Sequence, residues 1–291
     1  MQLVVPIFFL VCILALLCSS AQKALQAALQ RHPALLFVVP VLLSGVFLAA
    51  AAQLHAFSPA LAVLILAYTF APVICAFLVR RSAPPVWMDF VIITLLWFPL
   101  EFSVGQSFIA KRAQGPLHLA AYGVSILLGL ALFLLFRRLP DMKYNLPRSG
   151  RDLTNLLLGF AACTIVLIPL GRAIGFLPPF HMPAASAPRI ALQYVVILAS
   201  TALPEEILFR GLIQNSLMQR FGANTGSLLL AAFIFGCAHL DNGPQPLPNW
   251  RYMILATIAG IAYGKVFEKS SSILASAGLH ALVDTIKHVS F

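Results

Sequence analysis

The chain has 291 residues, of which 60% are hydrophobic and 10% are charged, and its formal net charge is +10. Soluble domains carry about 25% charged residues, so this composition excludes a soluble enzyme and indicates an all-α polytopic membrane protein. The lysines and arginines lie in short clusters between apolar runs and not on one basic arm. This pattern predicts loop anchors at a lipid bilayer and no nucleic-acid partner.

The first half of the chain predicts helices that cross the bilayer, because apolar runs of about 20 residues are long enough to do so. The predicted segments are Met1 to about Ser20, two segments within Pro33–Val79 divided near His55–Pro59, about Val86–Gly105, and Pro116–Phe136. No lysine or arginine precedes the first apolar run. We therefore expect a retained first span and not a cleaved signal peptide.

A polar loop follows Phe136 and divides the chain into a predicted N-terminal part, residues 1–151, and a C-terminal bundle, residues 152–291. The role of the N-terminal transmembrane segments is not indicated by any motif. In the second part the predicted segments are about Leu153–Ile174, Ile190–Arg220, Ser227–Leu240, Tyr252–Val266 and Ser272–Val289. The sequence thus predicts a bundle of about 8–10 transmembrane helices.

The positive residues between these segments favour a topology with both chain ends outside the cytoplasm. With that topology the inner loops hold Lys23, Arg31, Arg80, Arg81, Arg137, Arg138, Lys143, Arg148, Arg151, Arg220, Lys265 and Lys269. The outer loops hold the smaller set Lys111, Arg112, Arg172, Arg189, Arg251 and Lys287. Five other polar residues are predicted to lie at helix boundaries or in loops: Asp89, Glu101, His55, His118 and His181.

Two neighbouring carboxylates, Glu205 and Glu206, stand inside a predicted membrane segment. A charge near the bilayer centre costs roughly 2.5–3.5 kcal/mol, so each carboxylate needs a partner or a function. Successive helical residues point about 100° apart, and we therefore expect the two partners to differ. Glu206 precedes Arg210 by four residues, a spacing that predicts an ion pair on one helical face. Glu205 is left without a partner on its own helix.

Two later segments also carry polar groups at helical spacing. Phe235 and His239 are four residues apart, as are His280 and Asp284, so each pair shares one face of its helix. Bringing the three helices together would satisfy these groups inside the protein and shelter them from lipid. The sequence therefore predicts a small polar active site within the membrane.

These motifs resemble, in the same order, those of the CAAX protease and bacteriocin-processing family. That family comprises intramembrane endopeptidases and includes the eukaryotic Ras-converting enzyme. The motifs are Glu205-Glu206-x-x-x-Arg210, Phe235-x-x-x-His239 and His280-x-x-x-Asp284. The resemblance spans Glu205 to Asp284 and does not extend to residues 1–185.

The resemblance implies a glutamate-type intramembrane protease that needs no cofactor. Glu205 and His239 would activate the water that attacks the scissile amide, and His280 and Asp284 would face the tetrahedral oxyanion. The residue chemistry agrees, since a desolvated carboxyl group can act as a general base near neutral pH. Donors placed beforehand at a developing oxyanion are commonly the largest catalytic contribution.

Three further residues, Glu206, Arg210 and Phe235, are implied to support the site. One position departs from the family pattern, because many members have Asn where this chain has Asp284. A neutral Asp284 could donate a hydrogen bond, whereas an ionised Asp284 could only orient His280. The sequence leaves both roles open.

Other functions use the same side chains. Two carboxylates, two imidazoles and Asp284 are also zinc-ligand types, so a zinc-dependent protease is an alternative mechanism, although no HExxH motif is present. An ion-coupled transporter or a non-catalytic membrane scaffold is the alternative function. An intact set of motifs argues against a catalytically silent family member.

The expected partner is a membrane-associated protein or peptide substrate. The resemblance allows a prenylated C-terminus, a leader peptide or a C-terminal sorting tail, and no residue selects among them. The expected location is a bacterial inner membrane, which the protein would cross several times.

Overall fold

The computed structural model describes residues 4–243 and 245–291, and these residues contain helices but no β-strand. The predicted all-α fold class is thereby confirmed. The chain forms two compact units, Met1–Pro140 and Asp141–Phe291. The division between them lies in the polar loop that follows Phe136.

In the part of the unit Met1–Pro140 that the structure describes, there are six long helices and a short 3-10 helix, Gln106–Phe108. The long helices are α1 (Val4–Ala15), α2 (Ser19–Arg31), α3 (Pro33–Gln53), α4 (Pro59–Leu78), α5 (Trp87–Glu101) and α6 (Lys111–Phe136). The division of α3 from α4 near His55–Pro59 is as predicted, and α6 begins at Lys111, earlier than expected. α6 packs against α1, α3 and α5.

The first predicted segment is not one helix to Ser20. Its start at Met1 lies outside the described residues, α1 ends at Ala15, and α2 runs at 90° to α1. The physical reason is the polarity of α2, which carries Lys23 and several glutamines and has a clear amphipathic pattern. At the bend the Gln22 amide donates to the Leu16 carbonyl over 2.6 Å, which satisfies a carbonyl freed by the end of α1.

Asp89 was predicted at a helix boundary and Arg137 in a loop, and both positions are confirmed, because Asp89 lies in the first turn of α5 and Arg137 directly follows α6. Their burial and their pairing were not predicted. They form a fully buried ion pair in which Arg137 Nη2 lies 2.8 Å from Asp89 Oδ2. Arg137 also donates to the Val79 and Ser82 carbonyls. The sequence did not indicate this pair because its members are 48 residues apart.

Of the other four polar residues predicted at helix boundaries or in loops, three lie where they were predicted and one does not. Glu101 ends α5 and accepts a hydrogen bond from Trp97 Nε1 over 2.7 Å. His55 and His181 lie in connecting segments, as predicted. His118 does not lie in a loop, because it is inside α6, where its ring stacks on Tyr122 one turn later.

The unit Asp141–Phe291 contains α7 (Arg151–Ala173), α8 (residues 187–221), α9 (Thr225–Cys237), α10 (Trp250–Lys269) and α11 (Ile273–Ser290). α8 runs without interruption through both glutamates, as the sequence predicted. Stretches of π-helix at Leu198–Ala202 and Ile207–Gln214 flank the α-helical turn Leu203–Glu206. Pro204 lacks a backbone N–H, and a wider turn before it accommodates the missing hydrogen bond.

Close packing of α9 on α10 sets the position of His239. Gly236 on α9 permits this approach, since a Cβ atom there would lie only 1.9 Å from Thr257 Oγ1 of α10. α11 packs against α7, α8 and α10, so it lies among the helices that carry the other motifs. The motif residues thus come from helices that are in mutual contact.

Among the described residues, four helices are long and apolar enough to cross a membrane, fewer than the 8–10 predicted: Pro33–Gln53, Pro59–Leu78, Lys111–Phe136 and Arg151–Ala173. The bent pair Val4–Ala15 and Ser19–Arg31 would make a fifth span if counted as one. The chain is therefore an integral membrane protein with several spans. The helix Thr225–Cys237 is apolar but has only 13 residues.

Candidate active site

The four predicted catalytic residues, Glu205, His239, His280 and Asp284, line one cavity of about 670 Å³ inside the unit Asp141–Phe291. Glu205 lies on α8, His239 in the turn that follows α9, and His280 and Asp284 on α11, and the packing of these elements brings together residues up to 79 positions apart in the sequence. Both imidazoles are buried, whereas the side chains of Glu205 and Asp284 are each 19% exposed. The two carboxylates can therefore be reached from the cavity.

The supporting ion pair predicted from the sequence is present on α8. Glu206 Oε1 lies 3.1 Å from Arg210 Nη1, and both side chains are buried. Arg210 Nη2 donates to the Gly260 carbonyl of α10 over 3.2 Å. The guanidinium also lies over the Phe235 ring at 4.3 Å and the Tyr263 ring at 5.3 Å. These contacts fix the helical turn that carries Glu205.

His280 lies between the two glutamates. Its Nδ1 is 3.1 Å from Glu206 Oε1, and because a carboxylate accepts, Nδ1 donates this hydrogen bond. Its Nε2 lies 3.9 Å from Glu205 Oε2 and 3.6 Å from Asp284 Oδ2, beyond direct hydrogen-bond length. Arg210 pairs with Glu206 alone, as expected, whereas His280 approaches both glutamates, which was not expected. An imidazole presents nitrogens on two sides, so adjacent side chains that point apart can approach the same ring.

A hydrogen bond to the backbone orients His239. The helix α9 ends at Cys237, and the Phe235 carbonyl accepts a hydrogen bond of 2.8 Å from His239 Nδ1. A carbonyl cannot donate, so the proton of the neutral ring is on Nδ1 and Nε2 has the free lone pair. The predicted contact of the two rings is also present, with centroids 4.7 Å apart in an edge-to-face arrangement.

Glu205 has unused hydrogen-bonding capacity. Its Oε2 atom is buried, and none of the described residues forms a hydrogen bond with it. A buried carboxylate oxygen without a partner costs free energy, and such groups in folded proteins call for an explanation. The Glu205 carboxylate as a whole is partly exposed and lines the cavity, so it can accept a proton or a hydrogen bond from a molecule bound there.

The sequence analysis did not single out Tyr252 and Tyr263, which α10 contributes to the site. The Tyr263 ring stacks on His280 with centroids 4.7 Å apart, and the Tyr252 ring meets His239 edge to face at 4.6 Å. Both tyrosines lie in a predicted apolar segment or at its edge. A phenolic hydroxyl inside such a segment needs a polar environment, and that requirement could have indicated them.

Lys287 was predicted to be an outer-loop anchor, and this prediction is wrong. It lies within α11 and lines the same cavity as the catalytic candidates. Its Nζ donates to Tyr252 Oη over 3.1 Å. The spacing of three residues from Asp284 could have indicated a shared helical face.

An apolar pocket of about 90 Å³ adjoins the cavity and shares His239, His280, Asp284 and Lys287 with it. The remaining lining is mainly aliphatic and aromatic, with side chains from α7 and α10. Polar reacting groups and an apolar binding surface therefore meet at the same place.

Within residues 4–243 and 245–291, no group of three or more His, Cys, Asp or Glu residues is arranged to hold a metal ion. The ring nitrogens of His280 lie close to carboxylate oxygens of Glu205, Glu206 and Asp284.

Comparison with known proteins gives one family. Residues 187–286 match the model described as type II CAAX prenyl endopeptidase Rce1-like. Neither a curated protein nor a solved structure matches the chain. The matched range contains Glu205, Arg210, His239, His280 and Asp284. The resemblance to the CAAX protease and bacteriocin-processing family is thereby confirmed over residues 187–286.

Proposed function

We propose that this protein is a glutamate-type intramembrane endopeptidase that cleaves a peptide bond in a membrane-associated protein or peptide. The observation that carries the proposal is Glu205, a carboxylate that lines a cavity with two histidines and has one buried oxygen without a hydrogen-bond partner among the described residues. The Rce1-like match over residues 187–286 supports the reaction class.

Glu205 acts as the general base. It takes a proton from a water molecule as the water oxygen attacks the carbonyl carbon of the scissile amide. His239 accepts a hydrogen bond from the same water through Nε2, because its Nδ1 donates to the Phe235 carbonyl. This hydrogen bond holds the water while its second proton is transferred to the carboxylate.

His280 and Asp284 stabilise the tetrahedral oxyanion. With Nδ1 donating to Glu206, His280 directs Nε2 towards the side of the cavity where Glu205 and Asp284 lie. The N–H group at Nε2 donates a hydrogen bond to the oxyanion. The negative charge of Glu206 favours the protonated ring, in which Nε2 carries this hydrogen. Collapse of the intermediate breaks the carbon–nitrogen bond, and Glu205 returns its proton to the leaving amine.

Glu206 and Arg210 position these groups and do not contact the substrate. Arg210 holds Glu206 in place, and Glu206 in turn holds the tautomer and orientation of His280. The pair therefore acts on the reaction through the imidazole.

The candidate substrates are a prenylated C-terminus, a leader peptide and a C-terminal sorting tail. The apolar pocket beside the cavity supports a substrate with apolar groups next to the scissile bond. We infer a setting in the inner membrane of a bacterium, which cell fractionation would test.

The test is cleavage of one peptide of each candidate class by the purified protein in lipid nanodiscs, with products identified by mass spectrometry. We expect one class to be cleaved at a single bond. Glu205→Gln should lower turnover by at least about 100-fold, since it removes the base and keeps the side-chain size. Glu101→Gln, a change of a carboxylate at the end of α5, is the matched control and should leave turnover unchanged. No cleavage of any peptide, or full activity of Glu205→Gln, would contradict the proposal.

A further inference from the structure

The Tyr252 hydroxyl is a hydrogen-bond donor in the catalytic cavity for which the reaction described above has no use. Tyr252 lies in the first turn of α10, is half-buried, and lines both the cavity and the adjoining apolar pocket. Its ring meets His239, the residue proposed to hold the attacking water, with centroids 4.6 Å apart. The phenol therefore lies beside the groups that carry the reaction.

Both the backbone and the ring of Tyr252 are held in place. The backbone N–H donates to Asn249 Oδ1 over 3.1 Å, which caps the start of α10. The ring contacts Phe176 at a centroid distance of 5.0 Å in addition to its edge-to-face contact with His239. Aromatic contacts of this kind have preferred geometries, so they fix the direction of the hydroxyl group.

Lys287 leaves the hydrogen of the Tyr252 hydroxyl uncommitted. Lys287 Nζ donates to Tyr252 Oη over 3.1 Å, and because an ammonium group has no acceptor, the phenolic hydrogen cannot be donated to it. None of the described residues accepts a hydrogen bond from Tyr252 Oη. The hydrogen bond from a cation polarises the hydroxyl and makes it a stronger donor. The cavity thus contains a polarised O–H group without an acceptor.

The position of this donor fits the developing oxyanion. Lys287 follows Asp284 by three residues on α11, and both side chains line the cavity with Tyr252 and His280. His280 supplies one donor through Nε2, whereas an ionised Asp284 offers only acceptors. An oxyanion is stabilised by donors that are placed beforehand, so a second donor is needed whenever Asp284 is ionised.

We propose that Tyr252 is a catalytic residue that donates a hydrogen bond from its hydroxyl to the tetrahedral oxyanion, beside the one from His280. This inference rests on the proposed protease function and adds a residue of α10 to the reaction. The O–H bond stays intact throughout. As the water oxygen bonds to the carbonyl carbon, the π electrons of the C=O bond move to oxygen, and the hydrogen bond strengthens with that charge. Lys287 acts through the hydroxyl and is a positioning residue.

The experiment measures kcat and KM of the whole protein in lipid nanodiscs with a peptide that the wild type cleaves. Tyr252→Phe keeps the ring and its contact with His239 and removes only the hydroxyl. Tyr194→Phe is the matched control, because the Tyr194 hydroxyl also meets α11, 3.4 Å from the Gly278 carbonyl, but Tyr194 lines neither the cavity nor the apolar pocket. Lys287→Met and its double variant with Tyr252→Phe complete the set. Thermal unfolding of each variant checks folding.

A second measurement separates binding of the oxyanion from binding of the intact peptide. The probe is a phosphinate version of the same peptide, in which a tetrahedral P–O⁻ group replaces the scissile carbonyl. Its inhibition constant is measured with wild type and Tyr252→Phe. The affinity of the intact peptide is measured with Glu205→Gln and with its double variant carrying Tyr252→Phe, which compares binding without turnover.

We expect Tyr252→Phe to lower kcat by about 100-fold, the lower end of the cost of losing one oxyanion donor, with KM nearly unchanged. Phosphinate binding should weaken by a similar factor, since a transition-state analogue uses the same contacts, and binding of the intact peptide should not change. Lys287→Met should lower kcat by less and add little in the double variant, because the lysine acts through the hydroxyl. Tyr194→Phe should resemble wild type.

A folded Tyr252→Phe protein with the turnover of wild type would overturn the inference. A higher KM with unchanged kcat, or equal weakening of phosphinate and intact peptide, would also overturn it, because the hydroxyl would then bind the ground state. The double variant with Lys287→Met leaves no ammonium group unpaired, so it provides the same test if the single variant is unstable. A wild type that cleaves no peptide would instead contradict the proposed function.

Discussion

A buried arginine–carboxylate pair lies in each of the two units, and the two pairs differ in how completely their hydrogen bonds are made. In the unit Met1–Pro140, Arg137 donates to both oxygens of Asp89 at 2.8 Å, and the Val86 N–H donates to the same carboxylate at 2.7 Å. Two further Arg137 donors, both on Nη1, go to the carbonyls of Val79 and Ser82.

In the unit Asp141–Phe291, the corresponding pair is Glu206 with Arg210. Its members approach at 3.1 Å through one oxygen, which also accepts from His280. Among the described residues, Glu206 Oε2, Arg210 Nη1 and Glu205 Oε2 make no hydrogen bond. Arg210 Nη1 is close to Glu206, so that contact is a charge attraction without hydrogen-bond alignment.

The difference separates a structural pair from a functional cluster. Burying charges is costly, and the Asp89–Arg137 pair offsets that cost by satisfying its donors and acceptors. The cluster around Glu206 leaves acceptors unused beside a cavity, which lowers stability but provides groups that can bind a water molecule and a substrate.

Removing one charge from each pair should have the largest effect. Asp89→Asn and Glu206→Gln should each lower the free energy of unfolding by about 3–5 kcal/mol, because a buried arginine loses its counter-ion. Only Glu206→Gln should also lower turnover per folded molecule, since it alone contacts His280. Unfolding in mixed detergent and activity normalised to folded protein measure the two effects. An equal loss of normalised activity in Asp89→Asn would remove the distinction between the pairs.

Removing His239 should lower turnover about as much as removing the base. His239→Ala should cost at least about 100-fold, and combining it with Glu205→Gln should add little, because residues that act on one water are not additive. His118→Ala, a change of a histidine within α6, is the matched control and should be neutral. Losses that multiply in the double variant would mean that Glu205 and His239 act in separate steps.

Asp284 should show a smaller effect when replaced by asparagine. Glu206 already orients His280 through Nδ1, so Asp284→Asn should keep most of the activity, whereas Asp284→Ala should be clearly impaired. A carboxyl group can donate a hydrogen bond only while it is protonated, so this donor is lost as pH rises through the pKa of the group. If Asp284 is a donor, asparagine should therefore flatten the decline of activity at high pH.

The pH–rate profiles of wild type and both variants test this expectation. A strong loss of activity in Asp284→Asn would show instead that an ionised Asp284 is needed to orient His280. An unimpaired Asp284→Ala would place this residue outside the active site.

Chelation should have the smallest effect. Exhaustive treatment of the detergent-purified protein with a chelator should leave activity unchanged, and metal analysis should find no stoichiometric zinc, because the proposed base is a carboxylate. Loss of activity on chelation with rescue by zinc would favour the zinc-dependent mechanism.

Local spacing made several features predictable. A helix repeats every 3.6 residues, so the spacing of four between Glu206 and Arg210, and between Phe235 and His239, determines that each pair meets on one face. The uninterrupted apolar pattern around Glu205 similarly predicted the long helix α8. The order of the three motifs along the chain, which the family shares, could also be recognised from the sequence without knowledge of the packing.

The membrane class, most of the helices and the pairs within one helix could be predicted from the sequence. Composition and helical period act over a few residues, so these features do not depend on how the helices pack. Only the tertiary structure decided that His280 contacts Glu206, 74 residues away, and that Asp89 contacts Arg137. It also decided that Lys287 lines the cavity. The physical reason is that helix packing, and not sequence spacing, selects which faces meet and which polar groups satisfy one another away from lipid.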